Sequence, residues 1–143
     1  MDNLGLLLNE LSNVYDCGLT KIRVGNQHDG GYIVLKEICE KTEKVYSFGI
    51  GNDIGFEMDF VKKFPNAKIE CFDPTIESLP AYPENMFTDK IYYRREGPKS
   101  LTDIFDNSLL KMDIEGNEWD AIGSTEMFNL KNLMKFSQII IGH

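Results

Sequence analysis

Hydrophobic positions recur along this chain with two different periods. Between residues 3 and 15, Leu4, Leu7, Leu8, Leu11 and Val14 fall at helical spacing, and Asp2 or Asn3 is placed to cap the helix they predict. The polar face of that helix is acidic and free of lysine, which favours packing on its own domain over a membrane-surface role. Two β-favouring runs follow, residues 21–25 and 31–35. Their polar, glycine-containing spacer, residues 26–30, makes them a hairpin or a looped strand pair.

From residue 44 strands and helices alternate. Short apolar strands are predicted at 45–48, 68–72, 91–93, 109–112 and 136–141. Between the first two, Phe56, Met58, Phe60 and Val61 fit a helix that stops before Pro65. Residues 76–86 read as a short helix or loop, 101–105 as a short helix introduced by Ser100 or Thr102, and 118–128 as a helix. Strand, helix, strand in alternation implies right-handed crossovers and a parallel sheet covered on both faces. The expected fold class is therefore α/β, a Rossmann-like, mostly parallel sheet of about five core strands, preceded by a helix and a strand pair. Residues 1–143 form one domain in this reading. A soft boundary near residue 42 separates an N-terminal extension, 1–42, from the core, 43–143.

Composition narrows the partners. At 143 residues the chain has the size of one domain, and its 42% hydrophobic and 27% charged content is that of a globular protein. Fifteen Lys and Arg against 23 Asp and Glu leave a net charge of −8, which argues against nucleic acid and against anionic lipid. Cys17, Cys39 and Cys71 are odd in number and form no CxxC pair, so a reducing cytoplasmic setting is expected rather than a disulfide framework. With only His28 and His143 beside them, a zinc site is not supported, and no metal is expected. No apolar run approaches the roughly 20 residues of a membrane span. The start, Met1 to Leu4, lacks the basic region of a signal peptide, so a soluble, unprocessed chain is expected.

In an open parallel sheet, ligands bind outside the carboxyl ends of the strands, so residues just after strands carry the chemistry. Gly49-Ile50-Gly51 follows the first core strand, and Asp73, twenty-two residues beyond Gly51, ends the second. Glycines let backbone approach a ligand closely, and a carboxylate at that spacing can accept two hydrogen bonds from a ribose diol. The glycine pair alone would suit an ordinary turn equally well; the aspartate turns the balance toward a ribonucleoside. The glycines at 49, 51 and 55 depart from G-x-G-x-x-G, which disfavours NAD, and the Walker G-K-[ST] signature is absent.

Three segments carry a resemblance: residues 45–53 (VYSFGIGND), 70–75 (ECFDPT) and 110–119 (LKMDIEGNEW). They resemble the successive motifs of class I S-adenosylmethionine-dependent methyltransferases, and among these the FkbM-like "methyltransferase domain" proteins. The K-x-D-I-E-G-x-E-W segment is the most specific, and Asp29-Gly30-Gly31-Tyr32 is similar to a segment of the same group. The resemblance spans residues 21–143. It implies S-adenosyl-L-methionine as cofactor, with contacts from Gly49, Ile50, Gly51, Asn52 and Asp53, from Phe72 and Asp73, and from Asp113. In that family the glycine turn holds the methionine part, the acid at Asp73 the ribose, and Asp113 lies near the reacting centre. Two positions depart from the pattern: Ser47 replaces the acid at the first strand's end, and Asp53 replaces the third motif glycine, where it can meet the cofactor's ammonium group.

For a hydroxyl acceptor a positioned base helps remove the proton. Asp113 and Glu115 are the candidate catalytic carboxylates, with His28 a weaker one. Glu115 and Glu118 also suit the N-terminus of the following helix, and Trp119 suits core packing. Arg94-Arg95 reads as a solvated pair able to steer an anionic acceptor. The expected activity is O-methylation of a small molecule or sugar. The alternatives are an inactive cofactor-binding fold serving as an interaction module, and an NAD-type oxidoreductase. The family's sheet continues past the fifth strand with an antiparallel pair that this chain lacks, leaving residues 138–141 as an apolar edge. Residues 21–35 could cover that edge, or a second copy could pair there or through the N-terminal helix in a homodimer.

Overall fold

The computed structural model describes residues 18–27, 30–50, 53–76, 89–96, 103–113 and 130–142. The helices expected over 3–15 and 118–128, residues 77–86, and Gly51, Asn52, Glu115, Glu118, Trp119, Cys17 and both histidines lie outside them.

The expected hairpin forms first: β1 (Lys21–Val24) pairs antiparallel with β2 (Tyr32–Leu35), Val24 opposite Tyr32. A single helical turn, α1 (Lys36–Cys39), leads to β3 (Lys44–Phe48). Then come α2 (Gly55–Lys63), β4 (Lys68–Phe72), β5 (Ile91–Arg94), β6 (Ser108–Met112), α3 (Leu130–Leu133) and β7 (Phe136–Ile141). The five core strands lie in the order β5-β4-β3-β6-β7, every neighbouring pair parallel. This is the doubly wound order: the chain runs outward from β3 to β5, returns to lay β6 on the other side of β3, and so creates a switch point between β3 and β6.

Burial follows from that order. All five residues of β6 are buried, as are the last four of β3, because both strands have neighbours on two sides and cover on two faces. Alternation sends Val45, Ile69, Cys71, Ile91 and Leu109 to one face, where they meet Val24 and Val34 of the hairpin and Phe56, Phe60, Val61 and Phe64. The rings of Phe56, Phe60 and Phe64 form a ladder with centroids 5.8 and 4.9 Å apart, each burial contributing about 1.5–3 kcal/mol. The opposite face collects Tyr46, Phe48, Phe72, Leu110 and Met112 with Ile104, Phe136 and Leu133. A register shift in β7 opposite Ser108 and Leu109 changes the phase of the strand, so Phe136 joins this second cluster while Ile140 packs on the first.

α2 ends where its sequence demands. Phe64 precedes Pro65, leaves helical geometry at φ −128° and ψ 78°, and donates its N–H to Phe60. Lys62 and Lys63 occupy the last turn, where the helix dipole favours cations.

The hairpin is built into the core rather than appended to it. Beyond the shared apolar cluster, Gly25 N–H donates to Asp59 Oδ2 of α2 at 2.9 Å. The Gln138 side chain of β7 accepts from Leu35 N–H at 2.9 Å and donates to Leu35 O at 3.4 Å, copying a strand partner. Residues 21–35 thus touch β7 through the Gln138 side chain, while β7 remains the edge strand of its sheet among the described residues. Ile139, on the other face, is 45% exposed.

The helix expected over 101–105 is described only from residue 103. Residues 103–105 are not helical: Phe105 N–H donates to Tyr46 Oη at 3.1 Å, and Ile104 buries in the second cluster. The phenol takes the backbone donor that a helix would have used. Among the described residues, no helix is long and apolar enough to cross a membrane.

Cys39 and Cys71 are free and buried. Burial pushes both thiols up, Cys71 well beyond the ordinary thiol range with Glu57 adding to the effect; the Gln138 hydrogen bond moderates Cys39. The reactive form is the thiolate, so a chromogenic disulfide reagent at pH 8 should titrate neither in the folded chain and both on addition of denaturant. Fast reaction at Cys71 without denaturant would contradict its burial.

Candidate functional site

The carboxyl ends of β3, β4, β6 and β7 are stitched together by backbone. Gly49 N–H donates to Phe72 O, Asp113 N–H to Phe48 O, Gly142 N–H to Met112 O, and Asp73 N–H to Arg94 O, at 2.8–3.2 Å. The residues after four adjacent strands therefore share one rim, on both sides of the switch point. Gly49, Ile50, Asp53, Phe72, Asp73 and Asp113, all read as site residues from sequence, lie on this rim or next to it.

Their surroundings differ. Gly49 has φ +79°, a left-handed conformation that glycine adopts without strain and that turns the chain off β3. Ile50 is 4% exposed and packs in the first cluster. Asp53 is exposed at the entrance to α2: its Oδ1 accepts from Gly55 N–H at 2.8 Å and its Oδ2 from Asn26 Nδ2 at 2.9 Å. The first contact places negative charge at a helix N-terminus, and the second ties the rim to the hairpin loop. Phe72 is 1% exposed and stacked on Phe48 at 4.6 Å, so its ring belongs to the core and its backbone to the rim.

Asp73 is 4% exposed, a carboxylate buried at the end of β4. Its Oδ1 accepts from Thr75 N–H at 2.9 Å and Thr75 Oγ at 2.5 Å, an aspartate turn that fixes the side chain against its own loop. Tyr93 of β5 donates to the carbonyls of Asp73 and Ile76, bracing the same loop from the neighbouring strand. Arg94 and Arg95 are exposed, with the Arg94 guanidinium 6.0 Å from the Phe72 ring.

Asp113 faces the hairpin. Its Oδ2 accepts from Tyr32 Oη at 2.7 Å. Two residues earlier on the same strand, and so on the same side of it, Lys111 is 4% exposed. Its ammonium lies 2.9 Å from Glu57 Oε1, and Ser47 Oγ donates to the same oxygen at 2.7 Å. Glu57 is fully buried, and its Oε2 is enclosed without a hydrogen-bond partner. The ammonium also lies 5.2 Å from the Phe56 ring and 5.3 Å from the Tyr32 ring. Ser47, Glu57, Lys111, Tyr32 and Asp113 form one connected polar path from beneath the sheet's switch point to its rim.

The sequence reading gave no role to Glu57, nor to Lys111 or Tyr32, although the last two lie in segments that carry the resemblance. A signal existed for Lys111. It interrupts the apolar run of a central parallel strand, where both faces are buried, and a buried ammonium requires a buried anion. Glu57 on the apolar side of α2 supplies it.

Comparison of the chain with protein-family models, curated proteins and solved structures finds no match. The α/β, Rossmann-like description rests on the strand order and register alone.

Proposed function

We propose that this chain is an S-adenosylmethionine-dependent methyltransferase of the class I, FkbM-like type that methylates a hydroxyl of a small molecule or sugar in the cytoplasm. The observation that carries the reading is the placement of three groups on one rim. A left-handed glycine ends the central strand β3, a buried carboxylate ends the adjacent β4, and a second carboxylate ends β6 across the switch point.

The donor set suits the cofactor. Backbone without a Cβ at Gly49 permits close approach, Asp73 offers a fixed carboxylate for a ribose diol, and the exposed Asp53 offers charge to an ammonium group. When bound, the cofactor supplies an electrophilic methyl group on a positively charged sulfur. In this proposal the chain's own residues then hold the acceptor hydroxyl in line and Asp113 accepts its proton. Two carboxylates flanking the site and a net charge of −8 favour a cationic cofactor over an anionic dinucleotide.

Incubation with methyl-labelled S-adenosylmethionine and a panel of sugars and small hydroxyl compounds tests the activity. Transfer of label to at least one hydroxyl, lost in Asp113→Ala, is the expected result. Cofactor binding with no transfer to any acceptor class would overturn the enzymatic reading and leave a binding module.

A further inference from the structure

Tyr32 reaches the rim from the hairpin and is held there on three sides. Its ring stands edge-on to Phe56, centroids 5.5 Å apart at 89°, and lies 5.3 Å from the Lys111 ammonium. Gly142, at the end of β7, forms the third wall. A Cβ at that position would come within 2.7 Å of the phenol oxygen and 2.9 Å of the ring. Held by α2, β6 and the end of β7, the hydroxyl donates to Asp113 Oδ2. Among the described residues Tyr32 is the one donor to that carboxylate, and none donates to Oδ1.

This contact has chemical consequences. It pins one oxygen, so the plane of the carboxylate is set and Oδ1 is the oxygen left to face an acceptor. The cation on the ring polarises the phenol and strengthens its donation. Among the described residues, that ammonium carries its own counter-ion, Glu57.

We infer that Tyr32 is a positioning residue for Asp113: it fixes the plane of the carboxylate and presents Oδ1 as the base toward a hydroxyl acceptor. The inference rests on the proposed role of Asp113. It makes the N-terminal hairpin part of the site.

The test is the carboxyl-carbon NMR resonance of Asp113 at pH 7 in the full chain without cofactor, in the wild type and in Tyr32→Phe. The phenylalanine keeps the ring against Phe56, Gly142 and Lys111 and removes the hydroxyl alone. Loss of the donor should shift that resonance, and kcat toward a hydroxyl acceptor should fall at least about tenfold, the equivalent of one hydrogen bond to a charged group, at unchanged acceptor KM. An unchanged resonance overturns the inference. Asp113→Asn reads the contact from the other side and serves if the phenylalanine variant fails to fold. The ring-carbon resonance that bears the Tyr32 hydroxyl should then shift, and an unchanged resonance overturns the inference equally. Neither resonance measurement uses the cofactor. Failure of the wild type to bind S-adenosylmethionine would therefore overturn the role of Asp113 as base while the measured contact stood.

Discussion

Replacement of Lys111 by methionine should lower the thermal midpoint by about 10 °C, the expected result of breaking a buried ion pair that costs about 3–5 kcal/mol when one partner is removed. Glu57 is fully buried on the inner face of α2, and Lys111 supplies the only ammonium bonded to it among the described residues. Without that ammonium, Glu57 keeps the Ser47 hydroxyl as its donor, while Oε2 already has none. A carboxylate in that position must pick up a proton or draw water into the core. The double variant Lys111→Met, Glu57→Leu should recover most of the loss, because the surroundings are the rings of Phe56 and Tyr32 and both charges leave together. Calorimetric unfolding of the two single variants and the double variant gives the coupling directly. A single variant within 2 °C of the wild type, near the lower limit of about 2–4 °C expected per kcal/mol in a domain somewhat larger than this one, would mean that the pair is not desolvated.

The second large effect concerns the proposed cofactor. Asp73→Ala should weaken S-adenosylmethionine binding by at least about 100-fold, the consequence of losing two hydrogen bonds to a charged acceptor. Because Asp73 Oδ1 also holds Thr75, the alanine variant disturbs the loop as well as the charge. Asp73→Asn separates the two. Its amide oxygen can still accept from Thr75 N–H and Oγ, while the negative charge is gone. Asparagine should therefore lower the thermal midpoint less than alanine does, yet bind at least about tenfold more weakly than the wild type, the loss of one charge-assisted contact. Affinity unchanged in both variants would remove Asp73 from the ribose site.

Much of the core was legible as periodicity. Residues 45–48, 68–72, 109–112 and 136–141 read as buried strands because parallel strands covered on both faces are continuous apolar runs, and each lies within β3, β4, β6 or β7. Helix α2 was legible from Phe56, Phe60 and Val61 and from the stop at Pro65. At residues 103–105 the helical expectation failed because local capping signals carry no information about Tyr46, a distant side chain that takes the Phe105 amide. The rim positions were legible because they follow strands: Gly49 and Asp73 came out of spacing, and Asp113 out of the resemblance. What joins them was not. The Tyr32 contact with Asp113 spans 81 residues and the Lys111 contact with Glu57 spans 54. Such contacts depend on which elements end up adjacent, and single-sequence patterns specify faces rather than neighbours. The phase change in β7 is of the same kind: residues 136 and 140 are four apart and would share a face of a regular strand, yet the irregularity places them in different clusters.

The departures at Ser47 and Asp53 also gain a physical account. Ser47 donates to the buried Glu57, so a carboxylate at that position would put two anions together in the core. Asp53 closes the first turn of α2 and grips the hairpin through Asn26.

The most direct test of the account is isothermal calorimetry of the full chain with S-adenosylmethionine, S-adenosylhomocysteine and NAD at pH 7. Saturable one-to-one binding of both sulfur compounds, with no heat from NAD, is the predicted result. No binding of either sulfur compound at millimolar concentration would contradict the assignment of the rim around Gly49, Asp73 and Asp113 as a cofactor site.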